Sequence, residues 1–436
     1  ELNKSVTIAG PGEGALSVSG DDARRVFYVD SGVVVELRDL TITHGKSNAG
    51  GGLLNYGTLT LERVAVTNSQ ADTGGGILNT QVLTLDGATV SHNQATTAAG
   101  IYTANSAGGN LAVRNSTISD NQASIYGSSG GIYLAEGVLT IWNSTLSGNS
   151  SGFGGALVTG GGPTSSATIV NSTIAGNSAP SGESAGLHNL GITVSISNTV
   201  IADSLTGDDC RSDGTIAVNT NNLIEDGTCG APLSGDPLLA PLADYGGGTT
   251  TYALLPGSPL IDAGGNCPAT DQRGVGRPQG AGCDIGAFES RGFALTYGGG
   301  SDQRGFLNTA FGQPLAVGVT SAYSEPVSGG LVTFTGAVTD TGGTITAGTG
   351  GLSFLDTYDG SGGSVGALEG NATGGIAFQG AAAMGTFTSN GGTVTFSGTA
   401  TPQTFNPNAQ TFGPIVLSKG AQAQIVQLSG NLTISD

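Results

Sequence analysis

The feature that most constrains this sequence is a short glycine-led segment that recurs between about Gly50 and Ala202. The copies begin at Gly52-Leu53, Gly76-Ile77, Gly100-Ile101, Gly131-Ile132, Gly155-Ala156 and Gly186-Leu187, at steps of 24, 24, 31, 24 and 31 residues. Each copy then carries an alternating apolar segment, and the last inward positions of these segments are Leu61, Leu85, Val113, Ile141, Ile169 and Ile196. No copy is long enough to bury its apolar face alone, so the copies are expected to stack on one another.

Stacking of this kind predicts an all-β chain whose residues 1–205 form a right-handed parallel β-helix. Successive turns would lie about 4.8 Å apart, and the six residues above would face inward and build one continuous core. The variable step indicates insertions at a corner, where added loop length costs little entropy. Residues 1–49 contain similar strand patterns and are expected to form the first turns.

An asparagine recurs every 28 residues in this region, at Asn93, Asn121, Asn149 and Asn177. We expect a tight turn with asparagine in the left-handed region and side-chain amides hydrogen-bonded from turn to turn. The alternative is glycan attachment, because three triplets match the acceptor pattern, at Asn115, Asn143 and Asn171. Repeat geometry already explains the recurrence, so the structural interpretation is favoured.

Composition supports an all-β chain and limits its partners. The 436 residues include 78 glycines without a triplet period, and only 10% are charged, which is typical of turn-dense β-structure. Thirteen Lys and Arg against 32 Asp and Glu give a net charge of −19, which argues against nucleic acid or an anionic membrane as partner. No segment approaches membrane-spanning length, no cofactor is predicted, and calcium on the acidic surface remains an open alternative.

Four cysteines form two close pairs along the chain, Cys210 with Cys229 and Cys267 with Cys283. Local disulfides would close loops of moderate size and stabilise each by roughly 3 kcal/mol in the chain-entropy model. Zinc is the rival interpretation, but the chain has no Cys-x-x-Cys and only three histidines. We therefore expect two disulfides and an oxidising, extracellular location.

Candidates for enzymatic chemistry are few. The best carboxylate pair for a glycosidase is Asp208-Asp209, although acids beside a loop cysteine are ordinarily solvated turn residues. A lyase would need a base near calcium ligands, and Arg24-Arg25 lies close to Asp21-Asp22, which is more simply a charged corner. We predict that the chain is not an enzyme.

Histidines and aromatic residues give weaker signals. The three histidines, His44, His92 and His188, are expected to occupy different positions of their repeats and to form no metal trio. Four aromatic residues offer either a carbohydrate-stacking patch or corner packing: Tyr102, Tyr126, Tyr133 and Trp142. Corner packing is favoured because scattered aromatics normally pack.

Residues 206–290 lose the repeat period but contain two specific runs, GSPLIDAG at 257–264 and CDIGAFE at 283–289. These runs resemble the closing segment of the choice-of-anchor Q family, bacterial surface and secreted proteins in which a β-helix like that of the polymorphic outer-membrane proteins precedes this block. The resemblance covers roughly residues 1–290. It implies a surface or secreted location and a β-helix with a disulfide-containing end segment at 206–290, and it implies no catalytic chemistry.

The remainder of the chain divides into two β-rich regions. Residues 291–370 begin with two strictly alternating segments split by a Pro/Gly turn, and they resemble the start of a bacterial immunoglobulin-like domain. Residues 371–436 resemble the short β-strand repeats of bacterial surface proteins and predict a second β-solenoid.

The favoured function is a non-enzymatic structural or adhesive protein, a β-solenoid rod on or secreted from a bacterial cell. Strand patterns at both ends of the chain predict head-to-tail association of copies into a fibre. The residues expected at these edges are Leu2, Val6, Ile8, Leu432 and Ile434. Glycans or other surface proteins are further expected partners. The alternatives are a polysaccharide-active hydrolase or lyase on the same scaffold, and a carbohydrate-binding module.

Overall fold

The computed structural model describes residues 1–104, 109–124, 128–162, 164–180, 183–299 and 316–334, and beyond residue 334 the strands given below. These residues fall into two compact units. The first unit comprises residues 1–237, 241–253 and 260–290, and the second comprises 238–240, 254–259 and 291–436. Within these ranges the helical content is a 3₁₀ turn at Thr228–Gly230, so the chain is all-β as predicted.

The first unit is a parallel β-solenoid of about eight turns. Each turn contributes one short strand to a sheet that we name sheet A, and the strands pair in parallel with those of the turns before and after. In chain order the strands of sheet A are Phe27–Val29, Leu53–Asn55, Ile77–Asn79, Ile101–Thr103, Ile132–Leu134, Leu157–Thr159, Ser184–Asn189 and Asp208–Ser212.

Sheet B is larger and carries two limbs in each turn, joined in two turns by the long strands Val34–Thr43 and Thr58–Thr67. The first limb contains Val6–Ala9, Val82–Asp86, Asn110–Arg114, Val138–Trp142, Ser166–Val170, Thr193–Ser197 and Thr215–Thr220. The second limb contains Ser17–Ser19, Thr89–Ser91, Thr117–Ser119, Thr145–Ser147, Thr173–Ala175, Val200–Ala202 and Leu223–Ile224.

Sheet C is the shortest, with strands Lys46–Ala49, Gln70–Thr73, Gln94–Thr97 and Gln122–Ala123. Single parallel bridges extend it through Ser150, Ser178 and Thr206. Along the chain, sheet B is followed by sheet C and then by sheet A. The corners between sheets C and A carry the repeated glycines, because a Cβ at Gly51 would collide with the carbonyl oxygen of Gln70 and a Cβ at Gly75 with that of Gln94.

The predicted inward column is confirmed. Parallel register aligns one residue per turn along the first limb of sheet B: Leu61, Leu85, Val113, Ile141, Ile169 and Ile196. All six side chains are fully buried and belong to one continuous hydrophobic core. Period-2 alternation along each strand is sufficient to place them there, since neighbouring residues point to opposite faces.

Solenoid pairing continues beyond the predicted limit at residue 205. Asp208–Ser212, Thr215–Thr220 and Leu223–Ile224 pair in parallel with the preceding turn. At the other end, Val6–Ala9 pairs with Val34–Thr43 and Leu2 forms a single bridge to Val29. Leu2 and Ile8 pack partly buried against the core, whereas Val6 is exposed.

Strands of the second unit pair mainly in parallel. Ala294–Gly299 and Ala316–Thr320 form an antiparallel pair. One parallel sheet contains Leu331–Phe334, Gly351–Phe354, Ile376–Phe378, Val394–Phe396 and Ile415–Leu417. The other contains Val338–Thr339, Thr344–Ala347, Tyr358–Ala367, Ala382–Thr388, Gln403–Asn406 and Val426–Leu428, and Thr411–Phe412 pairs with Thr433–Ile434.

The immunoglobulin-like interpretation of residues 291–370 stays a prediction. Such a sandwich is built from antiparallel pairs, and Ala294–Gly299 pairs antiparallel with Ala316–Thr320, whereas Leu331–Phe334 pairs in parallel with Gly351–Phe354. Alternation and a Pro/Gly turn describe a hairpin and a solenoid corner equally well, so the sequence did not separate the two. Parallel pairing is the arrangement expected of the predicted second solenoid.

Of the residues predicted as a self-association edge, Leu432 lies outside those described, and Ile434 lies in the strand Thr433–Ile434.

Candidate functional site

The four repeated asparagines form a buried ladder at the corner between sheets B and C. Each side-chain amide donates to the Oδ1 atom of the next asparagine along the ladder, at 2.9 to 3.1 Å from Asn93 to Asn177. The same Oδ1 atoms accept the backbone N–H of the preceding asparagine. A third bond joins each amide to a strand carbonyl, such as that of Val66. The ladder satisfies backbone groups that would otherwise be orphaned at a buried corner.

Ladder asparagines are not in the left-handed region, which corrects the turn geometry expected for them. The positive φ angles belong instead to the residues directly before, including His92 at 56° and Asp120 at 54°. Because the preceding residue turns the chain, the asparagine itself is free to extend its amide along the solenoid axis.

A second corner carries the asparagines of the glycan-acceptor pattern, and these do have positive φ angles at Asn115, Asn143 and Asn171. Asn143 and Asn171 are buried, and their amides donate to the carbonyl oxygens of Thr270 and Asp284. Covered amides with main-chain partners are not accessible in the folded chain, so the structural interpretation of these two positions is supported.

The segment after the last solenoid turn folds back over the outer face of the second limb of sheet B. Gln272 is its central contact: its Nε2 donates to Thr117 Oγ1 at 3.1 Å, and its Oε1 accepts from Thr145 Oγ1 at 2.7 Å. Thr173, in the next turn, accepts the backbone N–H of Ala287 at 3.0 Å. One threonine in each of three turns thus anchors this closing segment, residues 249–253 and 260–290.

Both disulfides are present as predicted. Cys210 pairs with Cys229 at the last solenoid turn, and Cys267 pairs with Cys283 within the closing segment. They fasten the irregular part of the unit, where the hydrophobic column no longer holds the chain.

The closing segment contains buried ion pairs, and one of them includes Glu289 of the run at 283–289. Arg273 pairs with Asp271 at 2.7 Å and lies over the ring of Phe288 at 3.4 Å. Arg277 pairs with Glu289 at 2.9 Å. All four ion-pair side chains are about 1% exposed or less. These charges neutralise one another inside the segment and are therefore part of its packing.

Asp284 belongs to the same buried cluster. Its carboxylate accepts the backbone N–H groups of Asp262 at 2.7 Å and Ser290 at 2.6 Å. Burial, the largest cause, raises the pKa of Asp284 to about 7, and the neighbouring Glu289 adds to the shift.

Of the carboxylate pair considered for catalysis, Asp208 and Asp209, the second residue has a structural role. Asp209 is 2% exposed, and its carboxylate accepts from Ser204 Oγ at 2.6 Å and from the backbone N–H of Asp226 at 3.0 Å. Burial raises the pKa of Asp209. Asp208 is exposed on the adjoining position, so the two acids do not face one another across a cleft.

Histidine positions differ from expectation in one respect. His44 and His92 follow aligned residues of sheet B, Thr43 and Ser91, and both have positive φ angles. They therefore occupy the same corner two turns apart, with Asn68 between them. His188 lies elsewhere, buried on sheet A, where it stacks on Phe153 at 4.5 Å between ring centroids. Burial lowers the pKa of His188. Among the described residues no group of three His, Cys, Asp or Glu is placed to hold a metal ion.

Aromatic candidates divide between two sheets. Tyr102 and Tyr133 are neighbours on sheet A, with ring centroids 5.6 Å apart. Trp142 lies on sheet B next to Arg114 and is 41% exposed. Tyr126 lies outside the described residues. The predicted aromatics therefore do not form one common patch.

An open groove with a volume of about 760 Å³ follows sheet C in the first unit. One column of its lining consists of aligned residues from successive strands, Lys46, Gln70, Gln94 and Gln122, all of them exposed. Residues two further along the chain line it as well: Asn48, Asp72, Thr96 and Ser124. We name this feature the sheet C groove.

Main-chain groups of the groove strands are already paired with neighbouring turns. The N–H groups of Gln70, Gln94 and Gln122 donate to carbonyl oxygens of the preceding turn at 2.7 to 2.9 Å. What the groove offers a ligand is therefore side-chain amide, hydroxyl and carboxylate groups, repeated once per turn.

At its first turns the groove adjoins a second concavity of about 670 Å³ that shares Ala23, Lys46, Ser47 and Asn48 with it. Arg24, Arg25 and Lys46 line this region together with one acidic residue, Glu1, and we name it the basic end. Arg25 is half-buried and fixed by neutral acceptors: its guanidinium donates to Ser47 Oγ at 2.9 Å and to the carbonyl of Ala49 at 2.8 Å. Arg24-Arg25 was predicted to be a charged corner, and the structure places it at a groove.

The column of groove residues was not predicted, although the sequence contains a signal for it. Gln70, Gln94 and Gln122 each directly follow a residue of the ladder corner, namely Ser69, Asn93 and Asn121. A polar residue repeated at a fixed distance from a ladder position must form a column of its own. The concavity around that column depends on corner geometry that the repeat pattern does not specify.

Comparisons with known proteins do not give a family. No protein-family model matches the chain, and no curated protein matches it. Among solved structures, the chain is similar to one described as the crystal structure of pectate lyase Pel9A, with a TM-score of 0.38 and 16% identity over 66% of this chain and 84% of that chain. The strand pairing of the first unit by itself defines the class as that of the parallel β-solenoids. Within the described parts of the chain, no helix is long and apolar enough to cross a membrane.

Proposed function

We propose that this chain is a non-enzymatic extracellular protein whose solenoid serves as an adhesive scaffold, with the sheet C groove holding an extended glycan. The observation that carries this proposal is the repetition of polar side chains along the groove at Gln70, Gln94 and Gln122. A polymer with hydroxyl groups on every unit meets the same donors and acceptors turn after turn. The groove volume of about 760 Å³ lies within the range of roughly 300–1,000 Å³ usual for ligand sites.

A peptide partner is less well suited to this surface. Peptides that bind to sheets commonly add a strand to an open edge and rely on free main-chain groups. Along the groove the main-chain N–H groups of Gln70, Gln94 and Gln122 are already bonded to the neighbouring turn. Side-chain recognition of hydroxyl groups is the mode that remains.

The groove residues favour binding over catalysis. Its two carboxylates, Asp22 and Asp72, are both exposed, and a glycosidase acid needs a protected environment that raises its pKa. Two carboxylates whose pKa is raised by burial, Asp209 and Asp284, serve structural hydrogen bonds elsewhere. A polysaccharide lyase or hydrolase on the same scaffold remains the second candidate.

An extracellular location is supported by the two disulfides, since such bonds persist in oxidising compartments. Membership of the choice-of-anchor Q family is part of the same proposal and rests on the runs at 257–264 and 283–289. Head-to-tail assembly through Leu2, Val6 and Ile8 stays a prediction. It is tested by the dependence of molar mass on protein concentration.

The decisive experiment separates binding from turnover. The full chain is incubated with insoluble polysaccharides, and bound protein is measured together with released reducing ends and unsaturated sugars. We expect retention without product release, and we expect loss of retention in Gln70→Ala/Gln94→Ala. The matched control is Thr60→Ala/Thr84→Ala, two aligned half-buried residues of sheet B. Sustained product release that Asp72→Asn abolishes would replace this proposal with the enzyme.

A further inference from the structure

We infer that the glycan held in the sheet C groove is anionic and that the basic end, Arg24, Arg25 and Lys46, binds its acidic groups. This inference rests on the proposed function and specifies its ligand. The observation behind it is the distribution of positive charge in the described part of the chain, which is independent of the polar columns that support glycan binding.

Arginines elsewhere in the described residues have acidic partners. Seven of them lie in ion pairs, at Arg38, Arg63, Arg114, Arg211, Arg273, Arg277 and Arg291. Among the described residues the cations without an ion pair are Lys4, Arg24, Arg25 and Lys46. Three of these four line one concavity that opens into the groove.

Such a concentration is notable in a chain with 32 acidic and 13 basic residues. A chain rich in acids readily supplies carboxylate partners, and surface guanidinium groups commonly take them. Arg25 instead donates to Ser47 Oγ and to the carbonyl oxygens of Ala49 and Gly50, which are neutral acceptors that hold its position without an ion pair. It also lies 5.7 Å from the ring centroid of Tyr28, within cation–π range.

A fixed, half-buried guanidinium beside two exposed cations suits a ligand that brings its own negative charge. The Nε and Nη2 atoms of Arg25 make the bonds that fix it, so Nη1 is the nitrogen that would donate to a carboxylate or sulfate oxygen, and its position is set before the ligand arrives. The acidic remainder of the chain repels a polyanion, so an anionic polymer would be directed to this end of the groove. From there its hydroxyl groups reach the column that begins with Gln70.

Carboxylate and sulfate ester are the two sources of this charge, and four polymers distinguish them. Alginate carries only carboxylates, dextran sulfate carries only sulfates, and dextran and hydroxyethyl cellulose are neutral. Binding to the full chain is measured by affinity electrophoresis at several salt concentrations. We expect at least one anionic polymer to bind more tightly than both neutral ones, with affinity that falls as salt rises. A preference for alginate assigns the carboxylate, and a preference for dextran sulfate assigns the sulfate.

The key variant is Arg24→Gln/Lys46→Gln, which removes two exposed charges and leaves the hydrogen bonds of Arg25 in place. Its matched control is Arg38→Gln/Arg114→Gln, with the same change in net charge on sheet B, where these side chains are 42% and 44% exposed. We expect at least a tenfold loss of affinity for the anionic polymer in the first variant and less than twofold in the second.

Four outcomes overturn the inference. Equal losses of affinity in the two variants would show that only the net charge of the chain matters. Binding of the neutral polymers as tightly as the anionic ones would contradict this inference and leave the proposed function intact. Duplex DNA bound as tightly as the anionic glycans would show a general polyanion surface. Failure of every polymer to bind would contradict both this inference and the proposed function.

Discussion

Thr145 and Gln272 are joined by a 2.7 Å hydrogen bond although 127 residues separate them along the chain. The bond connects a repeated position of the solenoid with the closing segment. Both residues are buried, and the Gln272 amide also reaches Thr117 and Thr249. One glutamine therefore holds the closing segment against two successive turns.

Replacing this glutamine should loosen the closing segment selectively. Gln272→Ala removes the hydrogen bonds of this amide to Thr117, Thr145, Thr249 and the carbonyl of Thr250, and each such bond contributes about 0.5–1.5 kcal/mol. We expect faster amide hydrogen exchange at 249–253 and 270–290, with little change in the solenoid core strands. Gln279→Ala, in an exposed position of the same segment, serves as control. Unchanged exchange in Gln272→Ala would show that the contact contributes little.

The asparagine ladder should be a major source of stability at its corner. Asn121→Ala removes the Oδ1 atom that accepts from the backbone N–H and the side-chain amide of Asn93. It also removes the side-chain amide that donates to the carbonyl of Val90 and to Asn149 Oδ1. We expect a loss of about 3 kcal/mol or more in unfolding free energy. Trp142 is the single tryptophan and lies in the solenoid, so its fluorescence during urea unfolding reports on this unit. The exposed residue Asn110 provides the control variant Asn110→Ala, and equal midpoints for the two variants would refute the ladder's role.

The inward column makes a second prediction about stability. Ile141 is fully buried, and Ile141→Ala should cost about 2–5 kcal/mol through lost burial and a cavity. Thr140→Ala, on the opposite face of the same strand, should cost less than 1 kcal/mol. The same fluorescence-monitored urea unfolding measures both, and a small effect at Ile141 would contradict the assigned register.

Stability should fall as pH rises through the range set by Asp284. Its pKa is raised to about 7 in the folded chain, above the value of about 3.9 for an exposed aspartate. Between those values the folded state holds a proton that the unfolded state has lost, so unfolding free energy decreases with pH by up to a few kcal/mol. Asp284→Asn should flatten this slope, whereas the exposed Asp244→Asn should not. Urea unfolding midpoints at pH 4.5, 5.5, 6.5 and 7.5 measure this pH dependence of stability. The same pH dependence in the wild type and in Asp284→Asn would contradict the raised pKa of Asp284.

Much of the fold was predictable because local rules determine it. Period-2 alternation fixed the face on which Ile141 lies, and the recurrence of Asn121 fixed a corner column. The short separation of Cys267 and Cys283 made their disulfide the simplest pairing, and the structure contains it. Each of these follows from residues close together in sequence or from an exact repeat.

The parts that escaped prediction depend on contacts between distant segments. Nothing near Gln272 in the sequence indicates that it binds Thr145, since threonine at that position also suits an exposed strand. The groove has a similar origin: Gln94 repeats visibly, but the concavity that makes it a site depends on how sheet C meets its neighbours. Parallel pairing of Leu331–Phe334 was missed because alternation alone does not give strand direction.

The most direct test of the account is a map of hydrogen exchange in the full chain with and without alginate. Binding in the sheet C groove predicts slower exchange in Lys46–Ala49, Gln70–Thr73, Gln94–Thr97 and Gln122–Ala123 and around Arg25, with sheet B unchanged. Saturating alginate that bound the chain and protected other surfaces, or left these strands unprotected, would contradict the central claim.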